Sequence, residues 1–225
     1  MKRTQQGFTL VEIAIVLVII GLLLGGILKG QEMITQAKIK NVIADFSGIS
    51  AAYYGYQDRY RAIPGDDLNA ATRWSVAPAA TAGNGNGIVV GGYTNGGAVC
   101  VVGVESCSWW DHLRRAGFVS GTGVQPPFNA VAGALGVQTG DGAAAPTAIL
   151  GGFSSLIVCS ANLPDKIAIA VDTQMDDGQP ATGTVRGLLQ AGGPNPVLGA
   201  GTVATPNATG YVESGTNVYV LCRAI

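Results

Sequence analysis

Charge is scarce in this sequence. Asp, Glu, Lys and Arg supply 12% of its 225 residues and the formal net charge is -1, against roughly 25% charged residues in ordinary globular proteins. No Lys/Arg cluster or basic stripe occurs, so nucleic acid is not indicated as a partner. Histidine occurs once, at His112, and the cysteines form no CxxC or Cys/His pattern, which argues against zinc-site and thioredoxin-like chemistry. A G-x-S-x-G elbow and a phosphate-binding loop are both missing, and no proline precedes Pro64. Two adjacent carboxylate pairs, Asp66 with Asp67 and Asp176 with Asp177, formally permit a carboxylate-pair hydrolase. In "PGDD" and "MDDG" they read more simply as turn and cap residues accepting backbone N–H bonds. His112 in "WWDH" reads as a surface or capping residue on a short helix. No catalytic residue is therefore assigned, and the chain is expected not to be an enzyme.

Long apolar stretches and glycine are what the sequence has instead. Residues 8–28 are apolar or glycine except for Thr9 and Glu12, a length that suits one membrane-spanning helix. A carboxylate inside such a span costs a few kcal/mol unless it is paired, which makes Glu12 a functional-site hypothesis. Its place five residues into the run also allows the headgroup level. Gly21 with Gly25, and Gly26 with Gly30, have the small-xxx-small spacing that lets helices approach closely in lipid. The same glycines weaken an isolated helix by about 1 kcal/mol each.

The leader "MKRTQQG" is short and basic, like the first part of a secretory signal. The apolar run behind it is too long for such a signal, holds Glu12, and reaches "KGQEMITQAKIKNVIADF" with no A-x-A site. Lys2 and Arg3 would keep its start cytoplasmic. Basic leader, Gly7, Phe8, Glu12 at the fifth position beyond Gly7, and an uncut apolar helix together resemble the class III signal of type IV pilins and type II secretion pseudopilins. The resemblance implies cleavage between Gly7 and Phe8 by a prepilin peptidase, methylation of the new Phe8 amine, and a retained membrane helix. It also implies a partner for Glu12, namely the Phe8 amine of a neighbouring subunit during assembly. Pairing of Glu12 with the Phe8 amine of its own chain is the local alternative.

Four cysteines lie beyond the apolar run: Cys100, Cys107, Cys159 and Cys222. An even count outside a membrane anchor fits disulfides in an oxidising compartment. Of three pairings, the favoured one joins Cys100 to Cys107 around a short loop and Cys159 to Cys222 across the end of the chain; four reduced, buried cysteines are the alternative.

Ile39, Val42, Phe46, Ile49, Tyr53, Tyr56 and Tyr60 follow a 3-4 spacing that places them on one helical stripe. One helix is expected from near Thr9 to near Arg59, ended by "IPGDD", because Pro64 biases Ile63 away from helix. Further on, "SWWDHLRRAGF" reads as a short helix ending at Gly117, while "FSSLIVCSA", "KIAIAVDTQ", "GTVRGLL" and "NVYVLCRAI" read as strands. The expected fold is α+β: a long N-terminal helix whose stripe lies under an antiparallel sheet head, the arrangement the resemblance also implies. Its expected divisions are a leader at 1–7, the helix at 8–60 with its membrane part about 8–28, and a Gly-rich head at 61–225.

Asp172, Asp176 and Asp177 lie close together in "VDTQMDDGQP" and offer the hard oxygen ligands that suit calcium. Some type II secretion pseudopilins bind calcium in a C-terminal loop, so the resemblance points the same way; no other cofactor is expected. "GNGNG" has no carboxylate of its own and is a weaker candidate. The functional expectation is a pilus or pseudopilus subunit, stored in the bacterial inner membrane with its head in the periplasm, partnered by the peptidase, other subunits and an inner-membrane assembly platform. A minor pilin or a pseudopilin of a short periplasmic filament is the near alternative, and an unprocessed membrane-anchored binding protein the distant one.

Overall fold

The computed structural model describes residues 10–93, 100–140, 150, 153, 155–190 and 210–225. The leader, Gly7 and Phe8 lie outside the described residues. Helix α1 runs Leu10–Tyr60 as one element of 51 residues. The chain divides into two units, Met1–Lys38 and Ile39–Ile225, the boundary falling within α1.

In the first unit α1 is an apolar helix whose aliphatic side chains are exposed among the described residues. Leu10, Leu22 and Leu28 are each at least 66% exposed, and added β-carbons at Gly21, Gly25, Gly26 and Gly30 would meet open space. Its most apolar stretch has a mean hydropathy of 2.8, enough by length and composition to cross a membrane.

In the second unit α1 changes character. Ile39, Val42, Phe46, Ile49, Ala52, Tyr53 and Tyr56 are buried, every three or four residues, while Tyr60 is partly buried against the same core. Arg61, in the left-handed region at φ 54°, ends the helix, its N–H still donating to Gln57, and Pro64 keeps the following chain extended.

The remaining elements are α2 (Ala70–Arg73), α3 (Glu105–Arg115), β1 (Leu135–Thr139), β2 (Leu156–Pro164), α4 (Asp165–Met175), β3 (Val185–Leu189) and β4 (Val218–Ala224). The strands form one antiparallel sheet in the order β1-β2-β4-β3. Together with α1 this is the pilin-like α+β layout expected from the sequence.

Alternation along the strands sends side chains to two buried faces. Val137, Val158, Leu221 and Val185 join the α1 stripe, Trp109 and Trp110 of α3, and Ile167 of α4 in one core. Ile157, Cys159, Val220 and Cys222 face the other way, onto Tyr93, Leu150 and Phe153. Cys159 stands directly opposite Cys222 in the ladder, and the two are disulfide-bonded; Cys100 is bonded to Cys107 seven residues on.

Helix α3 confirms the short helix read from "SWWDHLRRAGF", starting three residues earlier. It ends in a hydrogen-bonded cap: the Gly117 N–H donates to Arg114 and the Phe118 N–H to Leu113, with Gly117 at φ 81°, a conformation that favours glycine. One strand expectation fails. "KIAIAVDTQ" is not a strand but α4, for its apolar residues satisfy both periods and the chain context selects helix. Ile167, Ala168, Val171 and Asp172 are the buried residues of its face. Pro164 just before them ends the ladder without a donor and enters the helix at φ -53°. Strand β1, "LGVQT", has no clear sequence signature, because its polar Gln138 is buried to accept the Tyr93 N–H.

Candidate functional site

Two places carry functional hypotheses: the start of α1, and the acidic end of α4. Glu12 lies in the described start of α1, among exposed aliphatic side chains such as Val11, Ile15 and Val16.

At the end of α4, Asp172, Asp176 and Asp177 each offer a carboxylate oxygen, all within 4.8 Å of one another. Asp172 is fully buried. Its Oδ2 accepts the Tyr211 hydroxyl, while its Oδ1 is buried with no donor among the described residues. Burial pushes its carboxyl up to about 6, Asp177 and Asp176 adding to the effect against the Tyr211 hydrogen bond and the nearby Gly178 N–H. The turn after α4 holds the other two in place. Asp176 Oδ2 accepts the N–H of Val185 at 2.9 Å as well as that of Thr184, and Asp177 accepts the Gln179 N–H and the Thr182 hydroxyl. Gly183 is required here, because an added β-carbon would lie 1.8 Å from Asp176 Oδ2.

Oxygens bound to one calcium ion at about 2.3–2.6 Å lie within about 5 Å of one another, so this trio fits the ion. The buried, donorless Oδ1 of Asp172 is the atom such an ion would satisfy.

His112 is not at the surface. It is fully buried, its Nδ1 accepting the Gly65 N–H at 2.9 Å and its Nε2 lying 2.8 Å from the Thr81 carbonyl. Its ring stacks on Tyr56, with centroids 6.3 Å apart. Burial lowers its pKa, against the Thr81 hydrogen bond and Asp67. The residue is a strut between α3 and the loop after α1, and the sequence reading missed it because a lone histidine on a short polar-looking helix shows no partner.

Both aspartates of "PGDD" accept N–H bonds: Asp67 that of Asn69 in a local turn, as expected, and Asp66 those of a distant loop. Asp66 Oδ1 accepts the Gly85 and Asn86 N–H and Oδ2 that of Gly87. Glu105 adds the N–H of Asn84 and Val90. The "GNGNG" loop thus folds around carboxylates supplied by other segments. Asp67 accepts from Tyr56, Asn69 and, at 2.6 Å, Arg73. Burial would raise its carboxyl, but the donors Arg73, Tyr56 and Asn69 outweigh it and hold it below the ordinary value.

No curated protein matches the chain. Over residues 2–28 the chain matches the prokaryotic N-terminal methylation motif. That span covers the basic leader, Gly7, Phe8, Glu12 and the exposed apolar start of α1, so the N-terminus of this chain is the prepilin signal of the type IV pilins and pseudopilins.

Proposed function

We propose that this chain is a structural subunit of a type IV pilus or pseudopilus, cut between Gly7 and Phe8, N-methylated at Phe8 and polymerised through α1. The observation that carries this reading is the coincidence of the methylation motif over residues 2–28 with an α1 whose first unit exposes a continuous aliphatic surface. Such a surface suits lipid before assembly and neighbouring helices after it. In the inner membrane the subunit is stored with its head in the periplasm. A prepilin peptidase removes the leader, and an assembly platform driven by a cytoplasmic ATPase moves the helix out of lipid. Glu12 then meets the amine of a neighbour's Phe8, because a buried carboxylate is tolerable only when paired. The disulfides fit an oxidising periplasm.

Asp172, Asp176 and Asp177 would hold calcium in the head. A bound ion would supply positive charge to these three carboxylates; the Asp172 Oδ1, without a donor among the described residues, supports this part of the reading.

Mass spectrometry of the N-terminal peptide, in a sheared cell-surface fraction and in the washed envelope, tests the main proposal. An N-methylated Phe8 peptide abundant in the sheared fraction is the outcome for a pilus. Its confinement to the envelope indicates a pseudopilus or minor subunit. An intact leader in both fractions overturns the reading.

A further inference from the structure

Residues 84–87 read Asn-Gly-Asn-Gly, and all four are exposed to water. An asparagine followed by glycine is chemically fragile, because glycine has no side chain to shield its amide nitrogen. Once deprotonated, that nitrogen bonds to the asparagine Cγ and expels the side-chain nitrogen, which takes up the proton and leaves as ammonia. Water then opens the succinimide ring at either carbonyl, giving aspartate or isoaspartate. The balance is one amide and one water consumed, one carboxylate and one ammonium formed, with no oxidant or reductant. The fold demands glycine at both places: Gly85 and Gly87 stand at φ 72° and 85°, where a side chain is strained. It also prepares the electrophiles. Asn84 Oδ1 accepts the Asn86 N–H at 3.0 Å and Asn86 Oδ1 the Ile88 N–H at 2.9 Å, and a donor on a carbonyl oxygen favours attack at its carbon.

The nucleophiles are withheld. The Gly85 N–H donates to Asp66 Oδ1 at 2.6 Å and to the Asp66 carbonyl at 3.1 Å, and the Gly87 N–H donates to Asp66 Oδ2 at 2.7 Å. Taking the proton from either amide would break a charge-assisted hydrogen bond and leave an anion against a carboxylate, so the reactive form is disfavoured twice. We infer that Asn84 and Asn86 are deamidation sites that Asp66 keeps closed, its carboxylate holding both glycine nitrogens that would otherwise attack. Failure of this guard would spread within the loop. A carboxylate formed at either position would add a like charge near Asp66. The loop also has no slack for the extra main-chain methylene of isoaspartate, since an added β-carbon at Gly83 would lie 2.3 Å from Asp66 Cα.

The test is a timed incubation of the detergent-solubilised full-length chain at mildly alkaline pH, with deamidation at each asparagine read by peptide mass and both disulfides checked on nonreducing gels. In the unaltered folded chain both sites should react at least tenfold more slowly than in the same chain unfolded in guanidinium chloride. Asp66→Ala should speed Asn86 about tenfold and Asn84 less, because Gly85 keeps the Asp66 backbone carbonyl whereas Gly87 loses its acceptor. Val42→Ala, a change in the buried stripe of α1 that removes none of these hydrogen bonds, controls for destabilisation and should leave both rates near those of the unaltered chain. Equal rates in the folded and unfolded chain would overturn the proposal, and that comparison needs no variant to fold. Unaltered rates in Asp66→Ala would overturn it as well. So would an equal acceleration in Val42→Ala, since the fold as a whole, and not Asp66, would then be the guard.

Discussion

His112 Nδ1 accepts the Gly65 amide at 2.9 Å, joining α3 to the chain just past the end of α1. The acceptor exists only while Nδ1 is unprotonated. With the folded pKa depressed below the ordinary 6.5, the unfolded chain binds the proton more readily. This contribution to stability is full above about pH 6.5 and is lost as pH falls through the folded value. Asp172, raised to about 6, contributes the opposite slope in the same window, so the His112 part is read as a difference. Between pH 7 and 5 the detergent-solubilised full chain should lose more stability than His112→Ala, which should cost about 3 kcal/mol at pH 7.

Asp66 fastens three consecutive amides of the "GNGNG" loop. Asp66→Ala orphans the Gly87 amide, while Gly85 keeps the Asp66 carbonyl and Asn86 the Asn84 side chain, and should destabilise the head by about 2 kcal/mol. Hydrogen exchange at residues 85–87 should rise more than in the α1 stripe, which checks that the loss is local.

The disulfides should contribute unequally. Cys159–Cys222 spans 63 residues and Cys100–Cys107 seven, so chain entropy predicts about 4 and about 2 kcal/mol. Paired Cys→Ala variants compared by urea denaturation would test the ranking.

Replacing Gly7 with a bulky residue should leave residues 1–7 attached, as read by intact mass. Glu12→Ala should still be cut and folded yet lose filament incorporation by tenfold or more, roughly the effect of removing one partner from a buried ion pair. No change in incorporation would favour a simple anchor.

Calcium added to the EDTA-treated protein should raise its melting temperature, with no response in Asp172→Asn. The effect should fade below about pH 6, where Asp172 takes up a proton in competition with the ion. An equal response in the variant would place any calcium elsewhere.

Much of the fold was legible because its signals are local. The run over residues 8–28, the 3-4 stripe from Ile39 to Tyr60, and the stop at Pro64 each depend on neighbours in sequence. Helix α4 was misread because Ile167, Ile169 and Val171 also alternate, and only packing against β2, β3 and β4 removes the ambiguity. The site was legible in part. Asp172, Asp176 and Asp177 were visible as a cluster, whereas the Tyr211 hydroxyl that reaches Asp172 lies 39 positions away.

By itself the sequence determined the prepilin signal, the membrane-length helix and the buried stripe, since periodicity and composition act along the chain. Tertiary structure decided the rest. It buried His112, and it brought Asp66 and Glu105 onto a loop with no carboxylate of its own. Those outcomes depend on which distant groups share a space once water is excluded, and a buried polar group is stable only where the fold delivers its partner.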